Sequence, residues 1–311
     1  MKQLLLILFG FAFLMTNGQD EQVMIKTPHK EEGTATKVFY SQKLINTKTV
    51  QTLPKGVLEF NVGHNFGDIA GDGGGLRKFY GLDNSTDVRI GFQVGLSDKV
   101  NLVLSRSKGL FVGQLFEAGL KWQLLKQKDN DPQHPLSLTL FFNDVISAQR
   151  RNRSNDSLAT AFKDFGDRHS QVFQLMIARK MGKVSLQLNP LYLHTNHVEA
   201  IDQKNLVALG GAIRIPLSKK IIILADYFHP FRSDATKNAF KAKGIKFYDP
   251  LGVGFEIVTE GHVFHLNFTN TTEILENRFI GHTVSNWGDG EFRWAFTISR
   301  NFVLFRDKKA K

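Results

Sequence analysis

Eight charged side chains have an apolar residue immediately before and immediately after them in the sequence. Four of them are acidic and four are basic: Glu59, Glu117, Asp226 and Glu256 against Arg89, Lys121, Arg214 and Arg293. Opposite charges inside a protein can neutralise one another, or they can line a constriction that selects ions by charge. The sequence leaves both interpretations open. Either one requires a scaffold that turns all eight side chains toward the same interior.

The residue types of the chain do not favour a metal site or a cofactor site. The chain has no cysteine, which excludes disulfides, thiol catalysis and cysteine metal sites. Two histidine pairs, His194/His197 and His262/His265, have ligand-like spacing. Residues three apart in a strand point to opposite faces, so His262 and His265 cannot share an ion there. His194 and His197 have only Glu199 nearby as an acidic partner, and we predict neither a metal ion nor another cofactor.

Two pairs of side chains could serve a hydrolase whose catalytic groups lie at the rim of a membrane barrel. They are His169 with Ser170, and His229 with Asp226. Neither pair lies in a recognisable nucleophile motif. The glycine-rich stretch at 71–75 is superficially similar to a phosphate-binding loop, but no strand–helix unit surrounds it. These patterns favour a protein that is not an enzyme, and a rim hydrolase of lipase or protease type is the alternative.

Basic residues concentrate between positions 232 and 246. They are Arg232, Lys237, Lys241, Lys243 and Lys246, in a chain whose formal net charge is +11. Such a segment is attracted to anionic surfaces. If it lies at the outer leaflet of a Gram-negative membrane, we expect it to contact lipid-A phosphates. Simple solvation of the lysines is the alternative.

Segments of about ten residues with alternating apolar and polar side chains can position the eight interior charges. In 87–96, for example, Val88, Ile90 and Phe92 oppose Arg89 and Gly91. This length and period match a tilted strand that crosses a bilayer. About twelve such segments are predicted, at 56–66, 87–96, 100–107, 116–124, 136–143, 170–180, 184–194, 205–216, 220–229, 251–257, 262–269 and 291–302.

The connections between these segments alternate between turns of three or four residues and long loops, with one exception: the connection at 126–135 is longer than a periplasmic turn should be. This alternation is typical of outer-membrane barrels, which have short periplasmic turns and long outer loops. A soluble β-sandwich or lipocalin-like barrel has the same period of two, but the bulky phenylalanine and tryptophan side chains would overfill a small core. We therefore predict an all-β fold, a transmembrane outer-membrane-type antiparallel barrel of about twelve strands.

The two ends of the chain differ from the barrel segments. A basic start, an apolar run over 4–15 and a polar end predict a secretory signal peptide at 1–18, cleaved near Gly18. Residues 19–54 are predicted to be a periplasmic arm, in which 37–46 docks at the mouth of the barrel. The barrel itself is predicted over 55–305, followed by a short basic tail at 306–311. Because an exported protein is separated from the nucleic acids of the cell, we predict no nucleic acid partner.

One stretch carries a family resemblance. The residues are LPKGVLEFNVGHNFGDI at 53–69, FYGLDNSTDVRIGFQVGLSDKVNLVLSRSKG at 79–109, and GLKWQLL at 119–125. They resemble an uncharacterised family of membrane-bound β-barrel domains from Gram-negative envelopes. The family usually reads His-Arg-Phe-Gly where this chain has His64-Asn65-Phe66-Gly67. The resemblance implies an outer-membrane barrel fold, and it implies no activity because the family is a domain of unknown function.

Together these observations predict a porin-like envelope protein. The lumen charges favour a narrow passive channel for small polar or anionic solutes, and a plugged barrel would instead serve as a scaffold for a periplasmic protein partner. The rim hydrolase remains the alternative from another functional class.

Overall fold

The computed structural model describes residues 35–109, 113–218 and 220–305. Two short helices, α1 (Asp234–Lys241) and α2 (Glu276–His282), lie in loops. None of the described helices is long and apolar enough to cross a membrane. The predicted signal peptide, the first part of the arm at 19–34 and the basic tail lie outside the described residues.

The strands are β1 Val57–Asp68, β2 Ser85–Gly95, β3 Val100–Ser107, β4 Leu115–Leu125, β5 Ser137–Ser147, β6 His169–Met181, β7 Val184–Thr195, β8 Asn205–Pro216, β9 Ile221–Pro230, β10 Leu251–Val258, β11 His262–Thr269 and β12 Arg293–Val303.

The twelve strands form one closed antiparallel barrel. Each strand pairs with its neighbours in the chain, and β1 pairs with β12 from Val57↔Val303 to Asp68↔Arg293 to complete the ring. Every predicted segment coincides with an observed strand to within a few residues. The predicted fold class is therefore confirmed, and the even strand number is the one expected of a bacterial single-chain barrel.

The two faces of the barrel wall have opposite polarity, with the apolar side chains outside. On β4, the Trp122 side chain is 51% exposed on the outer surface, whereas its neighbour Lys121 is fully buried inside. Phe92 and Phe173 are likewise exposed, while Asn101 and Asn143 are buried. This is the reverse of a soluble barrel, because the outer surface faces lipid rather than water. The soluble alternative is excluded by this arrangement.

The connections distinguish the two ends of the barrel. At the end that we call the turn end, the connections are short: 96–99, 126–136, 182–183, 217–220 and 259–261. At the opposite end, the loop end, four of the six connections are longer than any at the turn end: 69–84, 148–168, 231–250 and 270–292. The other two are 108–114 and 196–204. The predicted alternation of short and long connections is thus present except at 108–114 and 126–136. The 126–136 connection is the longest at the turn end, and it contacts the N-terminal segment described below.

The closed hydrogen-bond ring predicts resistance to detergent. Because every strand pairs on both sides, no edge is available from which unfolding can start. We expect unheated protein in SDS to migrate at an apparent mass different from that of boiled protein. Gel electrophoresis with and without heating checks this, and identical migration of the two samples would contradict a closed barrel.

Candidate functional site

The barrel lumen is occupied by the chain's own N-terminal segment. Residues 36–54, which we call the hairpin plug, enter at the turn end, where the Thr36 backbone N–H donates to the Gln127 carbonyl at 2.7 Å. The segment reverses inside the lumen, where Lys43 and Lys48 form an antiparallel bridge. It returns to the turn end, where the Thr52 hydroxyl donates to the Asp98 carbonyl at 2.8 Å. The hairpin plug therefore lies deeper than the docking at the mouth that the sequence analysis expected.

Apolar packing explains this depth. Phe39, Leu44 and Val50 are fully buried within the barrel. They meet wall side chains that point inward and are apolar, which is unusual for a barrel whose lumen is polar. The wall members of this cluster are Val103, Phe141, Met176, Ala178, Ala212, Ile222 and Leu224. The run Ile221–Leu224, which is apolar on both faces, thus places one face toward lipid and the other on the hairpin plug.

Asp226 on β9 holds the tip of the hairpin plug. Its Oδ2 accepts the backbone N–H groups of Ile45 (3.2 Å), Asn46 (2.7 Å) and Thr47 (3.0 Å). Its Oδ1 accepts the Asn46 side-chain amide at 2.8 Å. Gly252 makes room for this contact, since a Cβ at that position would lie 2.5 Å from Ile45 Cγ2. The wall is shaped to bind this turn of the chain.

A second carboxylate, Glu256 on β10, joins the wall to the hairpin plug nearer the turn end. Arg214 Nη2 lies 2.9 Å from Glu256 Oε1, and the Ser41 hydroxyl donates to Glu256 Oε2 at 2.9 Å. His265 Nε2 lies 3.3 Å from the same oxygen. The Arg214 guanidinium also stacks over the Tyr40 ring, 4.6 Å from its centroid. The predicted charges Arg214 and Glu256 therefore neutralise one another.

Glu117 on β4 is the centre of the largest charge cluster. Its Oε1 lies 3.1 Å from Lys48 Nζ of the hairpin plug, and its Oε2 lies 2.9 Å from Arg89 Nη2 of the wall. The Ser105 hydroxyl (2.6 Å) and the Asn143 amide (2.8 Å) donate to the same carboxylate. All four of these donors to Glu117 are buried, and two of them are cations.

A second segment fills the lumen from the loop end. Residues 270–286, the loop plug, contain α2 and fold inward, so that Leu275 and Phe279 are buried. The Ile274 backbone N–H donates to Asp87 Oδ2 at 2.9 Å, and the Phe279 ring packs on Phe228 with centroids 5.5 Å apart. Burial together with the nearby Arg278 and Arg232 guanidinium groups lowers the pKa of His282 well below its usual value.

The two plugs touch each other inside the barrel. The Thr271 hydroxyl of the loop plug donates to Asn46 Oδ1 at 3.0 Å. Lys48 Nζ lies 2.7 Å from Glu276 Oε2 in the first turn of α2. Two cavities beside the plugs measure about 20 Å³ and about 10 Å³, so each has room for roughly one water molecule.

The remaining predicted lumen charges, Glu59, Lys121 and Arg293, are also buried. Lys121 Nζ donates to the Gln42 side chain at 3.0 Å, and Glu59 accepts from Asn61 at 3.3 Å. Arg293 lies at the loop end and pairs with Asp68 at 2.6 Å. All eight predicted charges thus point inward. The structure brings Arg89 together with Glu117, and Arg214 together with Glu256.

The predicted basic loop does not form one cationic surface. Arg232 is buried: it pairs with Asp202, donates to the Gly281 carbonyl at 2.6 Å and stacks on the Phe247 ring. It therefore differs from the expected exposed contact, because its side chain holds loops together. The four lysines are exposed. Lys237 lies 3.6 Å from Asp234, Lys243 pairs with Glu199, Lys246 lies over Tyr248, and Lys241 is in the last turn of α1.

The candidate hydrolase pairs are not formed. His169 Nδ1 contacts Asp144 Oδ2 at 2.7 Å on the outer surface, while the Ser170 hydroxyl is buried inside and accepts from Asn277. His229 contacts Asp249 at 2.9 Å and not Asp226.

The candidate metal ligands are likewise separated. His194 contacts Asn205 at 2.6 Å, His197 contacts the Leu158 carbonyl at 2.9 Å, and His262 and His265 lie on opposite faces of β11. Among the described residues, no group of three or more histidine or acidic side chains could hold a metal ion.

The sequence analysis missed the two plugs. The available signals were apolar residues on the inward faces of β3, β5, β6 and β9, such as Val103, Phe141 and Met176, which a water-filled lumen does not explain. A further signal was the composition of 36–54, which contains three lysines and no acidic residue. An apolar and cationic segment next to an apolar and partly acidic lumen predicts insertion.

Comparison with solved structures gives distant likenesses. The KdgM porin matches with a TM-score of 0.46 at 9% identity, over 79% of this chain and 99% of that chain. The NanC porin matches with a TM-score of 0.44 at 7% identity, over 79% and 98%. Omp33 of Acinetobacter baumannii matches with a TM-score of 0.41 at 8% identity, over 79% and 97%. Likenesses at this level transfer neither activity nor substrate.

Comparison with sequences is more specific. No curated protein matches the chain. The model of one family, described as a membrane bound beta barrel domain (DUF5777), matches residues 39–302, which include most of the hairpin plug as well as the barrel. Since this match covers more than half of the chain, the protein belongs to that family of membrane-bound β-barrel domains.

Proposed function

We propose that the protein is an outer-membrane channel for small polar solutes that its own hairpin plug keeps closed at rest. The observation that carries this proposal is the way in which the hairpin plug is held. Inside the lumen it contacts the wall through side chains and single hydrogen bonds, and it does not join the closed sheet. A segment held in this way can leave without breaking the barrel, whereas a strand of the sheet cannot.

The orientation follows from the connections. Short turns of outer-membrane barrels face the periplasm, so the hairpin plug enters from the periplasmic side. The loop end then lies outside the cell, where Lys237, Lys241, Lys243 and Lys246 contact the phosphates of lipid A. The periplasmic arm that precedes the hairpin plug is the natural binding segment for a periplasmic protein partner. The lumen charges are nearly balanced, which favours small polar solutes over anionic ones.

A second candidate function is that of an envelope scaffold. The apolar cluster between the hairpin plug and the wall favours it, because apolar side chains lining a lumen stabilise a permanent plug and hinder polar solutes. In that case the barrel anchors the N-terminal arm at the membrane, and nothing passes through it.

Conductance in planar bilayers separates the two functions. We expect the wild type to show no steady current, and a variant lacking residues 36–52 to conduct, because the deletion empties the turn-end half of the lumen and also removes Lys48, which holds Glu276 of the loop plug. The control is a variant with Lys237 and Lys241 replaced by alanine, which leaves both plugs intact and should stay closed. The heat-dependent shift in SDS shows that each variant is folded. A folded deletion variant that carries no current would overturn the channel and favour the scaffold.

A further inference from the structure

The Lys48 ammonium occupies a site built from three separate parts of the chain. Glu117 Oε1 on β4 lies 3.1 Å away, and Glu276 Oε2 of the loop plug lies 2.7 Å away. The ring of Phe141 on β5 presents its face to the same nitrogen, 4.3 Å from the ring centroid. Two carboxylates and an aromatic face are a recognition set for an ammonium ion.

The site is desolvated, so its contacts are strong and costly to break. The side chains of Glu117 and Glu276 are 0% and 2% exposed, and that of Lys48 is 8% exposed. Removing one partner of a buried pair leaves an uncompensated charge, which is far more destabilising than the loss of a surface ion pair.

The two carboxylates depend on Lys48 to different degrees. Glu117 also pairs with Arg89 and accepts from Ser105 and Asn143, so it stays compensated without Lys48. Glu276 Oε2 contacts Lys48, and Glu276 Oε1 is buried without a hydrogen-bond partner among the described residues. Loss of Lys48 therefore leaves Glu276 as a buried carboxylate without a direct partner. Its remaining charge interactions, with Lys43 and Lys121, are longer-ranged, and it regains solvation when the loop plug moves toward water.

We propose that Glu117, Glu276 and Phe141 form an ammonium-binding site whose occupant, Lys48, couples the two plugs. When the hairpin plug withdraws toward the periplasm, it takes the cation away from Glu276 and releases the loop plug at the other end of the barrel. An event at the periplasmic mouth thereby opens the extracellular side. The inference rests on the proposed function for its conductance readout, while its labelling readout is independent of conductance.

Labelling of single thiols tests the coupling, because the chain has no cysteine of its own. Thr47→Cys reports on the hairpin plug and Thr283→Cys on the loop plug, since both side chains are buried. In a Lys48→Ala background we expect a polar maleimide to label both positions about a hundredfold faster than in the Lys48 protein, which corresponds to the loss of a buried ion-pair partner. Lys99→Met, at an exposed turn position, is the control and should leave labelling unchanged.

Chemical rescue tests the ligand class. Lys48→Ala removes the last three carbons of the side chain together with the ammonium group and leaves space, so millimolar propylammonium should occupy the site and return labelling toward the wild-type rate. Lys48→Met fills the same space without a charge, and propylammonium should not rescue it. Tetramethylammonium, which cannot donate hydrogen bonds to the carboxylates, should rescue neither variant. Equal effects of the two ammonium ions on both variants would overturn the ammonium site.

The outcomes separate this inference from the channel. If Lys48→Ala labels no faster than wild type at Thr283→Cys, the coupling is overturned, even when the hairpin deletion conducts. If Lys48→Ala exposes both thiols while every folded variant is silent in bilayers, the coupling holds and the channel fails. Replacing both partners, as in Lys48→Met with Glu276→Gln, should slow the labelling relative to Lys48→Met alone, because no buried charge is left uncompensated. Additive effects of the two substitutions would contradict the direct pairing.

Discussion

Replacing Glu117 by alanine is expected to lower the free energy of unfolding by about 3–5 kcal/mol. The substitution leaves Lys48 and Arg89 buried inside the barrel with their shared counter-charge removed. It also takes away the acceptor of the Ser105 hydroxyl and the Asn143 amide. Among the lumen carboxylates of the wall, Glu117 pairs directly with two cations, and its loss should therefore have the largest effect of any single lumen substitution.

Guanidinium unfolding of the barrel in phospholipid vesicles, followed by tryptophan fluorescence, measures this change. Glu59→Ala is the matched control, because Glu59 is the same residue type on the same inner face and is also buried. Among the described residues Glu59 forms no ion pair within 4 Å. Its charge interactions with Lys121 and Arg89 are longer-ranged, and it accepts one long hydrogen bond from Asn61. We expect this control to cost less than about 2 kcal/mol. Equal losses for the two variants would mean that the Glu117 cluster adds no stability.

Replacing Asp226 by alanine is expected to release the hairpin plug while leaving the barrel folded. The carboxylate accepts three backbone N–H groups at the hairpin tip, and each buried donor left unsatisfied costs about 1–3 kcal/mol. Even at the lower value of about 1 kcal/mol for each of the three donors, the summed free energy corresponds to roughly a hundredfold rise in the population of the withdrawn state. Trypsin cleavage after Lys43 and Lys48 should accelerate by about the same factor when opening precedes cleavage.

Two further substitutions bracket this prediction. Asp226→Asn keeps one acceptor oxygen and should give an intermediate rate. Ser41→Ala removes a single hydrogen bond to Glu256 and should accelerate cleavage by about tenfold or less. N-terminal sequencing of the fragments identifies the cleaved bonds. If Asp226→Ala stays as resistant as wild type, then apolar packing alone holds the hairpin plug, and the carboxylate does not anchor its tip.

These variants weaken different contacts that keep the two plugs inside the lumen. Asp226 holds the tip of the hairpin plug, Lys48 joins that plug to the loop plug, and Glu117 fixes Lys48 to the wall. Loss of Asp226 should therefore expose the hairpin plug first, whereas loss of Lys48 should expose both plugs together. The order in which thiols at Thr47 and Thr283 become reactive distinguishes the two cases.

The local sequence determined the barrel and the direction of its side chains. Alternation with period two places Glu117 and Lys121 inward and Trp122 outward whatever fills the lumen, because successive side chains of a strand point to opposite faces. The short and long connections determined the topology for a related reason, since antiparallel neighbours joined in chain order can close only as a simple ring. Both properties depend on residues close to one another in the chain.

Only the tertiary structure decided what the inward charges do. Lys48 and Glu276 meet although 228 positions separate them, and Arg89 reaches Glu117 across an intervening strand. Arg232, read from the sequence as part of an exposed basic loop, instead turns inward to Asp202. A polar inner face is equally compatible with water, solute or protein groups, because each of them satisfies its hydrogen bonds. Whether the lumen is open or plugged is thus set by the long-range packing of residues 36–54 and 270–286, which no local period encodes.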